Sequence, residues 1–316
     1  MLSRTADHLY WMARYTERAE NLARMLDVNY RMSLLRQDEA AVRGSWIATL
    51  AIVGQFEACE AAHGGITQDA AIDWISGSPD NSGSILQCLQ LARDNAHAVR
   101  GTLTSETWEI LNSTWIESRR FDRRHSREID PAGFFEWVKF RSHLARGVIQ
   151  GTMLRDEALR FTWLGTYLER ADNTARILKS KYEPLTPQTA DFDAACDYYE
   201  WSALLRSMAA FAIYRRVYRD RITPRRVAEL MILRDAMPRS LSRCMTQVHD
   251  TLALVANEQS GETQRMAGEI HASLLYGRID DVLAVGMNAW LLQFLERIAD
   301  LGQRIAQDFL VPSATT

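Results

Sequence analysis

The chain has 316 residues, 47% of them hydrophobic, and a formal charge of −3. That length can bury one large core or two smaller ones, and the acidic balance gives no general drive toward nucleic acid or an anionic membrane. Glycine and proline number only 16 and 7, which argues against many-turned β architectures and for long helices with short links.

Apolar residues recur at the helical period. In chain order the pattern predicts helices over roughly 3–36, 40–62, 68–76, 83–101, 105–117, 131–149, 155–182, 192–219, 224–235, 239–257, 262–276 and 280–310. Links are expected at Gly64-Gly65, at Gly77–Gly83 with Pro79, at Glu183–Pro187 and at Gly277. Asp130-Pro131 and Thr223-Pro224 each read as an N-cap followed by proline at the first helical position. No alternating stretch is long enough to call a strand. The N-terminal segment carries Arg4, Asp7, His8 and Arg14 and has no apolar core, so no signal peptide is expected. Charges interrupt every apolar stretch, so no membrane span is expected. Cys59, Cys88, Cys196 and Cys244 are far apart, which fits a reduced, cytoplasmic setting rather than a disulfide framework or zinc site.

The chain repeats itself. Shifted by 152 residues, Tyr15-Thr-Glu-Arg-Ala-Glu-Asn-Leu-Ala-Arg-Met-Leu26 falls on Tyr167-Leu-Glu-Arg-Ala-Asp-Asn-Thr-Ala-Arg-Ile-Leu178, with eight of twelve positions identical. Trp11 falls on Trp163, Ala6 on Ala158, and Met1-Leu2 on Met153-Leu154. Weaker echoes link Trp46–Leu50 with Trp201–Leu205, and Arg93-Asp94 with Arg234-Asp235. The period far exceeds that of solenoid repeats. The expected fold is therefore all-α: a large helical bundle of two duplicated halves, 1–150 and 151–316, packed about a pseudo-twofold axis into one compact domain.

Helical geometry turns the repeat into a candidate site. At 100° per residue, with Glu17 at zero, Arg24 lies at about −20°, Asn21 at about +40° and Glu20 at about −60°. These four make one polar stripe, and Arg18 sits at its border. The second copy sets Glu169, Asp172, Asn173 and Arg176 on the same stripe, with Arg170 at the border. Trp11, Tyr15, Ala19, Leu22 and Leu26 occupy the opposite, apolar side. Two readings stay open. Glu20 with Arg24, and Asp172 with Arg176, are acid-before-base pairs worth about 0.2–0.5 kcal/mol each on any solvated helix. Yet an exposed face has no packing reason to keep the same Glu, Arg, Asn and Arg twice, and mid-helix Asn is mildly unfavourable. The alternative is a buried polar network between the halves, or a ligand site. There the carboxylates would need partners, and Arg18 and Arg170 offer the bidentate guanidinium fork.

With Met1-Leu2-Ser3-Arg4, Gly151-Thr-Met-Leu-Arg-Asp-Glu157 and Pro238-Arg239-Ser240, the paired motif resembles the bacterial alpha-E family, a group of predicted all-helical proteins named for a Glu-Arg motif. The resemblance covers nearly the whole chain. It implies an all-helical fold and puts the family's pair on Glu17-Arg18 and Glu169-Arg170. Such families are typically encoded beside circularly permuted ATP-grasp ligases and transglutaminase-like proteins. The resemblance thus implies an ATP-grasp ligase and a transglutaminase-like protein as partners, and a role in forming or modifying peptide or amide bonds. A third pair, Glu296-Arg297, lacks the Asn and Arg spacing and reads as coincidence or a decayed echo.

Other chemistries find less support. A carboxylate-bridged di-metal bundle could draw on Glu17, Glu20, Glu169 and Asp172, but it also wants Glu-x-x-His on two helices. The nearest matches are Asp94-x-x-His97 and Asp122-x-x-His125, so no metal is expected. Two basic clusters stand out: Arg119, Arg120, Arg123, Arg124 and Arg127 in a loop, and Arg215, Arg216, Arg219, Arg221, Arg225 and Arg226 with Tyr214 and Tyr218 interleaved. Each reads as an anion or acidic-partner site, or as a solvated turn with its tyrosines packed inward. There is no nucleophile elbow and no phosphate-cradling glycine loop, so no cofactor is expected. Three functions remain: a non-catalytic subunit or adaptor for the ligase, a stand-alone enzyme using Glu17 or Glu169 for acid–base work on a carboxylate or peptide substrate, and the metal bundle.

Overall fold

The structure, a computed structural model, describes residues 1–34, 38–121, 130–182 and 194–310, and the side chains of 194–197 are not among those described. Arg123, Arg124, Arg127, the Asp122-x-x-His125 pair, the link at Glu183–Pro187 and the Cys196 side chain lie outside the described residues. Among the described residues every regular element is helical, as the periodicity predicts.

The residues divide into two compact units: Met1–Glu169 with the chain from Phe309, and Arg170–Asp308. The first unit holds α1 (Ser3–Ser33), α2 (Glu39–Ile52), α3 (Phe56–His63), α4 (Gln68–Gly77), α5 (Ile85–Ala98), α6 (Ser105–Ser118), α7 (Pro131–Thr152) and the opening half of α8 (Glu157–Tyr182). The second holds the rest of α8, then α9 (Ala194–Ser207), α10 (Phe211–Tyr218), α11 (Pro224–Ile232), α12 (Leu241–Leu254), α13 (Gly261–Leu275), α14 (Ile279–Val285) and most of α15 (Met287–Phe309). The division falls inside α8, because one long helix can give its two ends to different cores.

In the first unit α1 is the central element. It packs mainly against α5 and α7, and also against α2 and α4. Leu9, Met12 and Leu26 of α1 meet a core that includes Trp46 and Leu50 of α2, Ile85 of α5, and Phe135 and Val138 of α7, all fully buried. Each such side chain contributes about 1.5–3 kcal/mol. α1 is buried on more than its apolar side: Glu17, Glu20, Asn21 and Asp27 are buried as well. Gly165 of α8 faces the backbone of α1 so closely that a Cβ there would lie 2.2 Å from the Tyr10 carbonyl oxygen. Only glycine fits, which explains a residue that otherwise costs a helix interior about 1 kcal/mol.

The second unit is built round α12 and α13, with α11 against α12 and α14. Its core includes Leu205, Tyr214, Leu230, Met231, Leu241, Met245, Val248, Ala267 and Ile270.

The helix starts follow side-chain capping. Asp130 accepts from the N–H groups of Ala132 and Gly133, with Pro131 behind it, and Thr223 accepts from Arg226, as the sequence predicts. Thr67, Ser84 and Ser240 cap α4, α5 and α12 in the same way.

Three predicted helices are broken. The span 40–62 becomes α2 and α3, parted at Gly54 with φ +68°. The span 192–219 becomes α9 and α10, parted at Ala209 with φ +54°. The span 280–310 becomes α14 and α15, parted at Gly286 with φ +93°. In each a single residue at positive φ bends the chain out of the helix without interrupting the apolar pattern. The same corner appears in both units: Gln55 N–H donates to the Leu50 carbonyl at 2.9 Å, and Ala210 N–H donates to the Leu205 carbonyl at 2.7 Å. One sequence echo does not survive. Arg93-Asp94 lies within α5, whereas Arg234-Asp235 lies in the turn before α12.

No single helix among the described residues is long and apolar enough to cross a membrane. The pair α14 and α15, bent by 100°, passes that test only when both are counted together.

Candidate functional site

The stripe on α1 is not a solvated face. Glu17, Glu20 and Asn21 are buried, each 3% exposed or less. Arg146 of α7 reaches into them: its Nη2 donates to Glu17 Oε2 at 2.8 Å and to Glu20 Oε2. Arg24 Nε donates to the other Glu20 oxygen at 2.7 Å, so the i,i+4 pair forms, with its acid end out of water. His143 of α7 completes the group, its Nε2 standing 2.8 Å from Arg24 Nη2 and its Nδ1 3.2 Å from Arg146 Nη1. Two turns further along α1 the device recurs. Asp27 accepts from Arg31 Nε and from Lys139 Nζ, each at 2.7 Å, and Glu136 accepts from both Arg31 and Lys139.

The opening Glu of the second copy meets the first copy directly. Glu169 is buried, and Arg18 grips it with two bonds: Nε to Oε1 at 2.6 Å and Nη2 to Oε2 at 3.0 Å. Arg14 adds a third, Nε to Oε2 at 2.7 Å. Burial alone would raise this carboxyl's pKa, but Arg14 and Arg18 together outweigh it and hold Glu169 below the ordinary glutamate range. The arginines are themselves seated on aromatic rings. Arg14 lies 5.2 Å from the Trp11 centroid and 5.5 Å from that of Tyr10, and Arg18 lies 5.8 Å from that of Tyr15. Planar guanidinium suits both tasks, which lysine would not. Trp11 and Tyr15 are thus half-buried platforms for arginine rather than core residues. Cys88 of α5 is buried beside this pair, and burial pushes its thiol up to about 12.

The rest of the second stripe behaves differently. Arg170 is buried and donates to the Pro238 carbonyl at 3.5 Å, while Thr174 donates to the Arg239 carbonyl at 3.0 Å. These bonds tie α8 to the turn that Ser240 closes. Asn173 is half-buried. Asp172 and Arg176 form the bidentate i,i+4 pair at 2.7 and 3.2 Å, with the arginine side chain 48% exposed.

Glu169 is chemically locked rather than poised. A general base needs a pKa near the working pH and an oxygen free to face its substrate. Glu169 is shifted the other way, with three donors on its two oxygens. Among the described residues no three His, Cys, Asp or Glu side chains are gathered to hold a metal ion. The carboxylates of a hypothetical di-metal centre face guanidinium groups instead, and Asp94 pairs with Arg93 at 2.9 Å. Glu296 of the third pair is exposed on α15.

Arg14, Arg146 and His143 are the members that the motif does not contain. A signal for two of them exists: Glu136, Lys139, His143 and Arg146 recur at spacings of 3, 4 and 3 on α7, one polar row. Opposite it, Glu20, Arg24, Asp27 and Arg31 recur at 4, 3 and 4 on α1. Arg14 carries no such mark.

Comparison with known proteins bears on the pair itself. Uncharacterised proteins of Mycobacterium bovis and Mycobacterium tuberculosis are 25% identical over 315 residues, covering 93% of this chain and 35% of theirs. The chain thus spans about a third of the length of the curated relatives it matches. No solved structure matches it. A family model described as a predicted alpha-helical domain with a conserved ER motif matches residues 1–310. With Glu17-Arg18 and Glu169-Arg170 both built into buried polar clusters, the chain belongs to the Alpha-E family.

Proposed function

We propose that this chain is a non-catalytic helical subunit or adaptor of an ATP-grasp-type amide ligase, acting in the cytoplasm in peptide synthesis or modification, with a transglutaminase-like protein as a further partner. The observation that carries this is the state of Glu169: buried, gripped by Arg14 and Arg18, and held below the ordinary glutamate range. A carboxylate so saturated organises helices and leaves the chemistry to another chain.

The proposal includes an internal duplication. Thr67 and Thr223, Ser84 and Ser240, Cys88 and Cys244, and the buried Thr107 and Thr263 each hold like positions at an offset of 156 residues. The left-handed corners at Gly54 and Ala209 are offset by 155. A pseudo-twofold relation between the copies belongs to the same proposal.

The test is affinity capture of the tagged full chain from the organism that encodes it. An ATP-grasp ligase should co-purify, and ATP-dependent amide formation should need both proteins. No ligase enriched above a tag-only control would sink the reading.

A second reading is a stand-alone enzyme acting on a carboxylate or peptide substrate. One observation favours it: on the α7 side the first cluster reaches solvent through His143 and Arg146, whose side chains are 52% and 31% exposed. It requires Glu17→Gln to abolish a measured activity while leaving the unfolding curve unchanged.

A further inference from the structure

The basic cluster of the second unit takes no part in the buried Glu-Arg clusters. Residues 206–226 hold seven arginines against one acid, Asp220, in a chain whose net charge is −3. Tyr214 and Tyr218 pack inward: Tyr214 is buried and donates to the Arg221 carbonyl at 2.8 Å, and Tyr218 donates to Glu229 at 3.2 Å. The tyrosines therefore explain the corner's shape but not its charge. Arg225 and Arg226 pair with Asp280 and Asp220. Arg215, Arg216, Arg219 and Arg221 are exposed; the first three have no acidic partner among the described residues, while the Arg221 N–H donates to Asp220 at 2.7 Å.

Helix dipoles account for part of this. Arg215 and Arg216 lie in the last turn of α10, where cations are favoured, but Arg225 and Arg226 open α11, where they oppose the dipole. Like charges gathered at such a corner repel one another until a counter-surface arrives.

A surface of the opposite sign stands on the same chain. Residues 56–73 hold Glu57, Glu60, Asp69 and Asp73 and neither lysine nor arginine. Glu57, Glu60 and Asp69 are exposed, and none has a cationic partner among the described residues. Ala58, Ala61 and Ala62 beside them are exposed too, so nothing bulky holds an approaching guanidinium away. The two corners share one backbone plan. α3 ends on Gly64 at φ +69° and α10 on Arg219 at φ +52°, and a threonine cap opens the next helix in each.

We propose that the arginine corner of α10 and α11 docks the acidic corner of α3 and α4 on a second copy of this chain. The charge match names the occupant. Among the described residues of their own unit Arg215, Arg216 and Arg219 have no acidic partner, and Glu57, Glu60 and Asp69 have no cationic one in theirs. Beyond the corner the chain carries excess negative charge, which opposes a polyanion such as nucleic acid. Guanidinium groups suit carboxylates bidentately. The pairing is heterologous, because the patch and its complement are different surfaces. It stands apart from the ligase reading, since it needs no other protein.

Sedimentation velocity of the full chain tests it. In about 0.05 M salt the weight-average mass should climb above the 36.1 kDa monomer as concentration rises, and it should return to the monomer in about 0.5 M salt. Arg215→Glu with Arg216→Glu should hold the chain at monomer mass in low salt, and so should Glu57→Lys with Glu60→Lys. All four sites are exposed, and circular dichroism checks that each variant is folded. Mixing the two variants should restore association, because each then offers the other a complementary corner. A wild-type chain that stays at monomer mass throughout the low-salt series overturns the proposal, and so does association that survives either charge reversal. A monomeric chain that binds polyphosphate or nucleic acid through Arg215 and Arg216 overturns it as well.

Discussion

Glu20 and Asp172 hold the same place in the two copies of the Glu-Arg stripe, and an arginine follows each four residues later. Glu20 is fully buried, with Arg24 on one oxygen and Arg146 on the other. Asp172 keeps a quarter of its side chain exposed and pairs with Arg176 alone among the described residues. The opening Glu is buried in both copies, so the difference lies in the second half of the stripe. What separates the copies is the neighbour: α7 brings Lys139 and Arg146 to the carboxylates of α1. Identical spacing thus yields a buried network in one setting and a solvated pair in the other. The helix alone does not decide which.

The sharpest way to break this comparison is at Arg146. Arg146→Met removes the guanidinium shared by Glu17 and Glu20 without emptying the space. Breaking a buried ion pair from one side costs about 3–5 kcal/mol, because the charges left behind stay desolvated. Urea unfolding should show a loss of that order. A loss below about 1 kcal/mol would mean that water reaches Glu17 and Glu20 and that the cluster is a surface feature.

Glu169 offers the next effect and a pH signature. Its folded pKa is depressed. Its contribution is therefore complete above the unfolded glutamate value of about 4.3 and fades as pH falls through the lower folded value. Glu169→Gln should cost about 2 kcal/mol at neutral pH, the scale of hydrogen bonds to a charged group. It should also flatten the acid limb: below about pH 4 the variant should lose less stability per pH unit than the wild type. Parallel limbs in the two proteins would show that Glu169 titrates normally.

Much of the helical pattern was legible in the sequence, and the misses share one cause. Periodicity reports which side of a helix is apolar. It does not report a single residue that turns to positive φ inside an apolar run, so Gly54, Ala209 and Gly286 each went unseen. The caps at Asp130 and Thr223 were legible because Asp-Pro and Thr-Pro carry their own mechanism. In the candidate site the motif pointed to Glu17, Arg18, Glu20 and Glu169. Arg14, His143 and Arg146 were invisible to it, because which helix covers a stripe is a tertiary fact. The seat of Arg14 on Tyr10 and Trp11 leaves no trace at any repeat spacing.

The paired corners give a smaller effect whose sign should reverse between the units. Gly54 and Ala209 adopt the same left-handed backbone. An L-residue there costs about 1 kcal/mol. Gly54→Ala should destabilise the chain by about that much, with no crowding to confuse the result, since nothing lies within 4 Å of the added Cβ. Ala209→Gly should stabilise it by a similar amount, less the flexibility glycine gives the unfolded chain. Shifts of the same sign in thermal unfolding would mean that the two corners are not the same structure.

The smallest effect sharpens the opening contrast most directly. Arg176→Ala removes the counterpart of Arg24, and the arginine is half-exposed. An exposed i,i+4 pair is worth about 0.3–0.5 kcal/mol, and alanine is at least as good a helix former as arginine. The two terms nearly cancel, so the midpoint of unfolding should move by less than about 0.5 kcal/mol and should move less still in high salt. Arg24→Ala makes the same chemical change four residues after a fully buried carboxylate. It should cost severalfold more, because Glu20 cannot turn to water for the lost donor. Equal losses at the two sites would show that burial does not separate the copies. The solvated and buried readings of the stripe would then no longer be divided between them.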